Sequence, residues 1–271
     1  MNKAFVDTTI ITDALLKERP TSKSAIDALN RFQATKLPVY AIKEFKAGPL
    51  KNFSWFHNKL ALLGSYTASL EALQRMALTP KRYTTATAIE ALMGASVRLK
   101  NSNQDSLVQK YGQVANIDKF LCDQYRLTLK AKIIKAWRYR RRITTNVVCP
   151  LSCYKEMDPY VRNRLIMLDP TRCKVQTECC LAPELKKRLA DLVKLRNVIL
   201  KQSKSRENER RARALRELIR KPKAPMSEKI CRDLGDAYFA LFAPQDSVIL
   251  TTNAKDHKVL AEALGKKAET P

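Results

Sequence analysis

The stretch Ala4-Phe5-Val6-Asp7-Thr8-Thr9-Ile10-Ile11 decides the reading of the fold. A short apolar run stops at Asp7, and Thr8 and Thr9 are good N-cap residues for a helix carrying Ile10 to Leu16. Working outward, a second helix is predicted over about residues 22–35, with Ile26, Leu29 and Phe32 at helical spacing. The run Leu37-Pro38-Val39-Tyr40-Ala41-Ile42 reads as the next strand, with Glu44 directly after it. The far end reads helix, strand, helix: residues 229–242, Ser247 to Thr251, and Lys255 to Leu264, stopped by Gly265. Strands alternating with helices predict an α/β fold, a parallel sheet with helices on both faces.

The composition frames this reading. In 271 residues there are 51 Lys+Arg against 26 Asp+Glu, a formal charge of +25, which points to a polyanion partner. With 45% apolar residues, 6 Gly and 12 Pro, collagen-like and wholly disordered classes are excluded. No stretch approaches the roughly 20 apolar residues that span a bilayer. Asp7 and Asp13 break the first apolar run, so it is not expected to be a signal peptide, and a soluble cytoplasmic protein is expected. Seven cysteines without an export signal argue for thiols or a metal site over a disulfide framework. The two histidines, His57 and His257, have no nucleophile motif beside them.

The charge is uneven. Residues 1–49 sum to +3, residues 50–225 to +23 and residues 226–271 to −1. The near-neutral ends hold four acids where a parallel α/β sheet places its ligands, beyond the carboxyl ends of the strands. Asp7 ends the first strand, Glu44 follows the second, Asp236 opens a helix and Asp256 follows the last strand. Converging carboxylates repel unless a hard cation lies between them, and Mg²⁺ or Mn²⁺ suits oxygen ligands and bridges to phosphate. Read singly, Asp7 and Asp236 serve equally well as helix N-terminal carboxylates, and Glu44 as a solvated group.

Four local stretches add a resemblance. Phe5-Val6-Asp7-Thr8-Thr9-Ile10-Ile11-Thr12-Asp13-Ala14-Leu15 resembles the opening of the PIN-domain nucleases, an apolar strand followed by Asp-Thr-Asn/Ser and a helix. Val39 to Phe45, around Glu44, is similar to the family's second motif, and Asp236 to Ala243 to its third. Ile249-Leu250-Thr251-Thr252-Asn253-Ala254-Lys255-Asp256-His257 resembles the fourth, a strand followed by Thr-x-Asn/Asp-x-x-Asp-Phe. All four occur in the family's order.

The resemblance implies a PIN-like three-layer sheet and a metal-dependent endoribonuclease, a hydrolase of the kind found in toxin–antitoxin pairs and RNA processing. It implies Asp7, Glu44, Asp236 and Asp256 as Mg²⁺ or Mn²⁺ ligands, with Thr8 and Asn253 as supporting, substrate-side residues. Asp233, at i, i+3 from Asp236, is a fifth acid or a replacement for its neighbour. Two positions depart from the family pattern, Thr9 in place of Asn or Ser and His257 in place of Phe. An antitoxin or other inhibitor protein is a possible partner, and no membrane partner is expected.

The ends alone are short for this family, so residues 1–100 and 226–271 are expected to form a discontinuous nuclease domain. Residues 101–225 are then a basic, mostly helical insertion. Residues 126–142 hold eight basic residues and no acid, and residues 186–223 hold fifteen basic and four acidic. Arg138, Arg140, Arg141 and Arg142, with Trp137, Tyr139 and Tyr125 nearby, suit phosphates and stacked bases of structured RNA. A solvated helix face is the plainer alternative. Cys149, Cys153, Cys173 and Cys179 offer an irregular four-thiolate set for a structural Zn²⁺, against the plainer reading of small buried apolar residues. Two rival functions stay open: a non-catalytic RNA- or DNA-binding protein on a degenerate PIN scaffold, and a nuclease acting on DNA or flaps.

Overall fold

The structure, a computed structural model, describes residues 2–77, 114–143, 146–148, 157–168, 181–202, 204–221 and 227–271. The chain opens with β1 (Lys3–Val6), α1 (Thr8–Leu16), α2 (Thr21–Asn30), β2 (Ala34–Pro38) and α3 (Val39–Phe45). A π-helical turn leads into α4 (Lys51–Leu63), followed by α5 (Tyr66–Ala77), α6 (Val114–Ile143), β3 (Asn146–Val148) and a hairpin, β4 (Tyr160–Arg162) with β5 (Leu165–Met167). Then come α7 (Leu181–Lys186), α8 (Leu189–Lys201), α9 (Arg206–Arg220), α10 (Glu228–Asp233), α11 (Gly235–Phe242), β6 (Ser247–Leu250), α12 (Ala254–Glu262) and β7 (Lys267–Glu269).

Five strands form one parallel sheet in the order β3-β2-β1-β6-β7, so β1 is central. Ala4, Phe5 and Val6 are fully buried, because a parallel strand covered on both faces needs a continuous apolar run. The winding reverses between β1 and β6. With right-handed crossovers, that reversal places the β1–β2 helices and the β6–β7 helix on opposite faces and opens a crevice at the carboxyl ends of β1 and β6. The mixed α/β class and flanked parallel sheet agree with the sequence reading. Among the described residues, no helix is long and apolar enough to cross a membrane.

Several boundaries differ from expectation. The apolar run at residues 37–42 is not one strand: β2 ends at Pro38 and the chain enters α3 at once. Val39, Tyr40, Ala41 and Ile42 are all buried, and a run buried on every side has no period that separates helix from strand. The helix expected over 229–242 is broken into α10 and α11 at Leu234. Residues 58–77, amphipathic enough to read as one helix, are divided between α4 and α5 at Gly64, whose φ of 63° gives the left-handed C-cap that glycine adopts without strain. The second helix ends at Asn30 and leaves Phe32 outside it.

The segment read as an insertion is tied to the sheet: β3 pairs with β2 at its edge. α6 packs on α4, α1 and α5 through a stripe of Cys122, Tyr125, Leu129, Ile133, Ala136 and Trp137. α8 and α9 pack on each other, and α8 also meets α11 and α12. This packing brings α9 over the crevice. Residues 85–99, whose amphipathic spacing reads as a further helix, and the cysteines Cys149, Cys153, Cys173 and Cys179 lie outside the described residues.

Candidate active site

Asp7 leaves β1 with extended backbone and caps α1, its Oδ1 accepting from Thr8 N at 2.6 Å. The plain N-cap reading is therefore correct as far as it goes. Its Oδ2 accepts from Thr9 Oγ1 at 2.8 Å and Thr251 Oγ1 at 2.7 Å. Thr251 follows β6, so hydroxyls from both sides of the strand reversal hold this one carboxylate. Thr9 Oγ1 also accepts from Thr252 N at 3.2 Å.

Glu44, on α3, accepts from Thr8 Oγ1 at 2.7 Å. Burial pushes its carboxyl up to about 8; the Thr8 hydrogen bond opposes this, and the charges of Asp7 and Asp236 reinforce it. Tyr40, one turn earlier, lies against Glu44, stacks on Tyr238 at 4.6 Å and donates to Cys231 O at 3.2 Å. Gly235 opens α11 beside this pair. A Cβ there would meet Tyr40 Oη at 2.8 Å and Glu44 Oε1 at 3.2 Å, so the missing side chain lets α11 approach.

Asp236 stands in the first turn of α11, and burial raises its carboxyl above the ordinary range, opposed by His257 and Arg211. Asp256, on α12, is held low by the hydrogen bond from Arg211 and accepts from Asn253 Nδ2 at 2.8 Å. Asp233, the last residue of α10, lines the same cavity as Asp236. The carboxylates of Asp7, Glu44, Asp236 and Asp256, scattered along the sequence, thus stand together at the carboxyl ends of β1 and β6.

Two basic side chains that the sequence reading did not assign to the site lie among them. His257 is buried, with Nε2 3.5 Å from Asp7 Oδ2 and 3.4 Å from Asp236 Oδ1, and its ring packs edge-on against Phe239. The imidazole thus combines aromatic packing with a polar edge toward two carboxylates. Arg211, from α9, pairs with Asp236, with Asp256 at 3.0 Å and with Glu207 at 3.0 Å, its side chain only 11% exposed. The only hint of His257 in the sequence is its place in the fourth motif. Arg211 has no local hint at all, since it is one arginine among six in its helix.

Beside the carboxylates opens a cavity of about 460 Å³, whose lining mixes acids (Glu44, Glu207, Asp233, Asp236) with cations (Arg210, Arg211, Lys229, Arg232). Of the four arginines read as RNA contacts, Arg138, Arg141 and Arg142 are exposed. Arg140 is not: it is 1% exposed, its guanidinium stacks on Trp137 at 3.6 Å and donates to Trp137 O at 2.7 Å. It continues the apolar stripe of α6, one turn after Ala136 and Trp137, which is the physical reason for the correction. The end of α6 lies at the amino-terminal half of the sheet, where Thr35, opposite Ala4, donates to Ile143 O at 2.7 Å. The carboxylates lie past the other ends of the strands.

The donor chemistry fits a hard divalent cation. The gathered side chains are oxygen donors, and burial raises the carboxyls of Glu44 and Asp236 above their ordinary range. As they stand, no three His, Cys, Asp or Glu side chains among the described residues form a group able to hold a metal ion. Arg211 and His257 take up intervening positions. Comparisons with family models, curated proteins and solved structures found no match.

Proposed function

We propose that this chain is a PIN-type, Mg²⁺- or Mn²⁺-dependent endoribonuclease. The observation that carries the reading is the gathering of Asp7, Glu44, Asp236 and Asp256 at the strand reversal, beside a cavity that Glu44 and Asp236 line together with Arg210, Lys229 and Arg232. A divalent cation held by Glu44, Asp236 and the neighbouring acids would supply polarisation of a phosphodiester and activation of water. The chain's own residues do the rest. Thr8 orients Glu44 and Asn253 orients Asp256. Arg210, Lys229 and Arg232 attract the phosphate backbone toward the acids. The exposed Arg138, Arg141 and Arg142, with Tyr139 between them, offer a second contact for structured RNA.

Asp236→Asn tests this reading better than a change at Asp7, whose carboxylate also caps α1. The variant is expected to lose RNA cleavage while binding an RNA oligonucleotide as wild type does. Full cleavage by purified Asp236→Asn and Glu44→Gln would overturn the assignment. Matched RNA and DNA oligonucleotides decide between RNA and DNA, and equal cleavage of both would favour the flap- or DNA-nuclease alternative.

A further inference from the structure

Arg211 lies where the proposed function needs positive charge of another kind. Its guanidinium spans Asp236 on α11 and Asp256 on α12, the two more buried of its carboxylate partners. Four residues back on the same helix, Glu207 accepts from it at 3.0 Å and is itself 56% exposed. The side chain therefore has three carboxylate partners arranged from the buried crevice outward to solvent. Arg210, beside it in sequence, lines the same cavity, as do Lys229 and Arg232. A guanidinium and a divalent cation cannot share Asp236 and Asp256, because like charges at contact distance in a partly buried site repel strongly.

We propose that Arg211 is an exchangeable counter-ion of the cleft. It holds Asp236 and Asp256 while no divalent cation is bound, and cation entry moves its guanidinium outward. Glu207 retains it at the rim there, and with Arg210, Lys229 and Arg232 it takes a phosphate of the substrate strand. This inference rests on the metal-dependent reading above. It makes the segment that carries α9 a part of the active site rather than a separate grip. The forked, planar guanidinium suits the role, since it bridges two carboxylates in one state and a phosphate in the other.

The test is a Mn²⁺ titration of metal-stripped wild type, Arg211→Gln and Arg211→Lys by calorimetry, with melting curves alongside. Arg211→Gln is expected to bind Mn²⁺ at least about tenfold more tightly, because the ion no longer displaces a partly buried ion pair. Arg211→Lys, which cannot bridge both carboxylates, falls between the two. Without metal, Arg211→Gln melts below wild type, and Mn²⁺ raises its melting point by more than it raises that of wild type. In wild type, the Arg211 Nε–H signal in NMR shifts on saturation with Mg²⁺, a readout that needs no variant. Equal Mn²⁺ affinity in wild type and Arg211→Gln, or an Arg211 signal unmoved by Mg²⁺, would overturn the inference and leave the nuclease reading standing. Binding by neither protein would overturn both.

Discussion

Gly235 and Glu44 show how closely the site is fitted at the level of single atoms. A methyl group on Gly235 would press on Tyr40 and Glu44 together, so Gly235→Ala should cost about 1–3 kcal/mol by overpacking. Chemical denaturation measures it, and an unchanged midpoint would show that α11 can retreat freely. Glu44 makes a prediction about pH. Its folded carboxyl lies at about 8, above the usual 4.5, so the folded state keeps a proton that the unfolded state loses between these values. The stability due to this group is therefore fully present below about pH 4.5 and is lost as pH rises to about 8. In chelator, wild type should lose stability relative to Glu44→Gln across that window and then run parallel to it. Melting curves at a series of pH values check this, and parallel behaviour throughout would contradict it. Metal affinity should rise over the same window, since the cation must displace the proton.

At the scale of elements, what was legible and what was not divide along physical lines. The sequence revealed β1, β6 and α12 because each starts or stops at a residue with a distinct local role: Asp7 at a cap, Gly265 at a left-handed turn. It misplaced α3 because a run of buried apolar residues carries no period. It singled out the four acids that converge at the crevice because each lies in a local stretch of its own, and it passed over Arg211 because that contact joins α9 to α11 and α12 across the fold. Arg140 was legible in principle, since it sits at i+3 and i+4 from Trp137 and Ala136 on the stripe of α6, but the surrounding arginines suggested solvent and RNA instead. Arg140→Ala should therefore destabilise the fold by about 2 kcal/mol, the worth of a desolvated cation–π contact, without weakening RNA binding. Changing Arg138, Arg141 and Arg142 together to Ala should leave the melting point alone and flatten the salt dependence of RNA binding by about 2–3 in log–log slope. Denaturation and fluorescence anisotropy at several salt concentrations separate the two, and a reversed outcome would show that α6 turns its other face to RNA.

For the whole molecule, the net charge of +25 and the acidic crevice are complementary. The basic middle of the chain does not merely surround the acids: α9 brings Arg210 and Arg211 to them, and β3 extends their sheet. The account therefore describes one site built from both ends of the chain and its centre, at the reversal between β1 and β6. Its central claim is that divalent metal at these acids drives phosphodiester hydrolysis. The most direct measurement is cleavage of a structured RNA by metal-stripped protein, first in chelator and then with Mg²⁺ or Mn²⁺ restored, beside Asp236→Asn. The account predicts cleavage by wild type only with metal and none by Asp236→Asn under either condition. Metal-independent cleavage, or no cleavage by wild type with either ion, would contradict it.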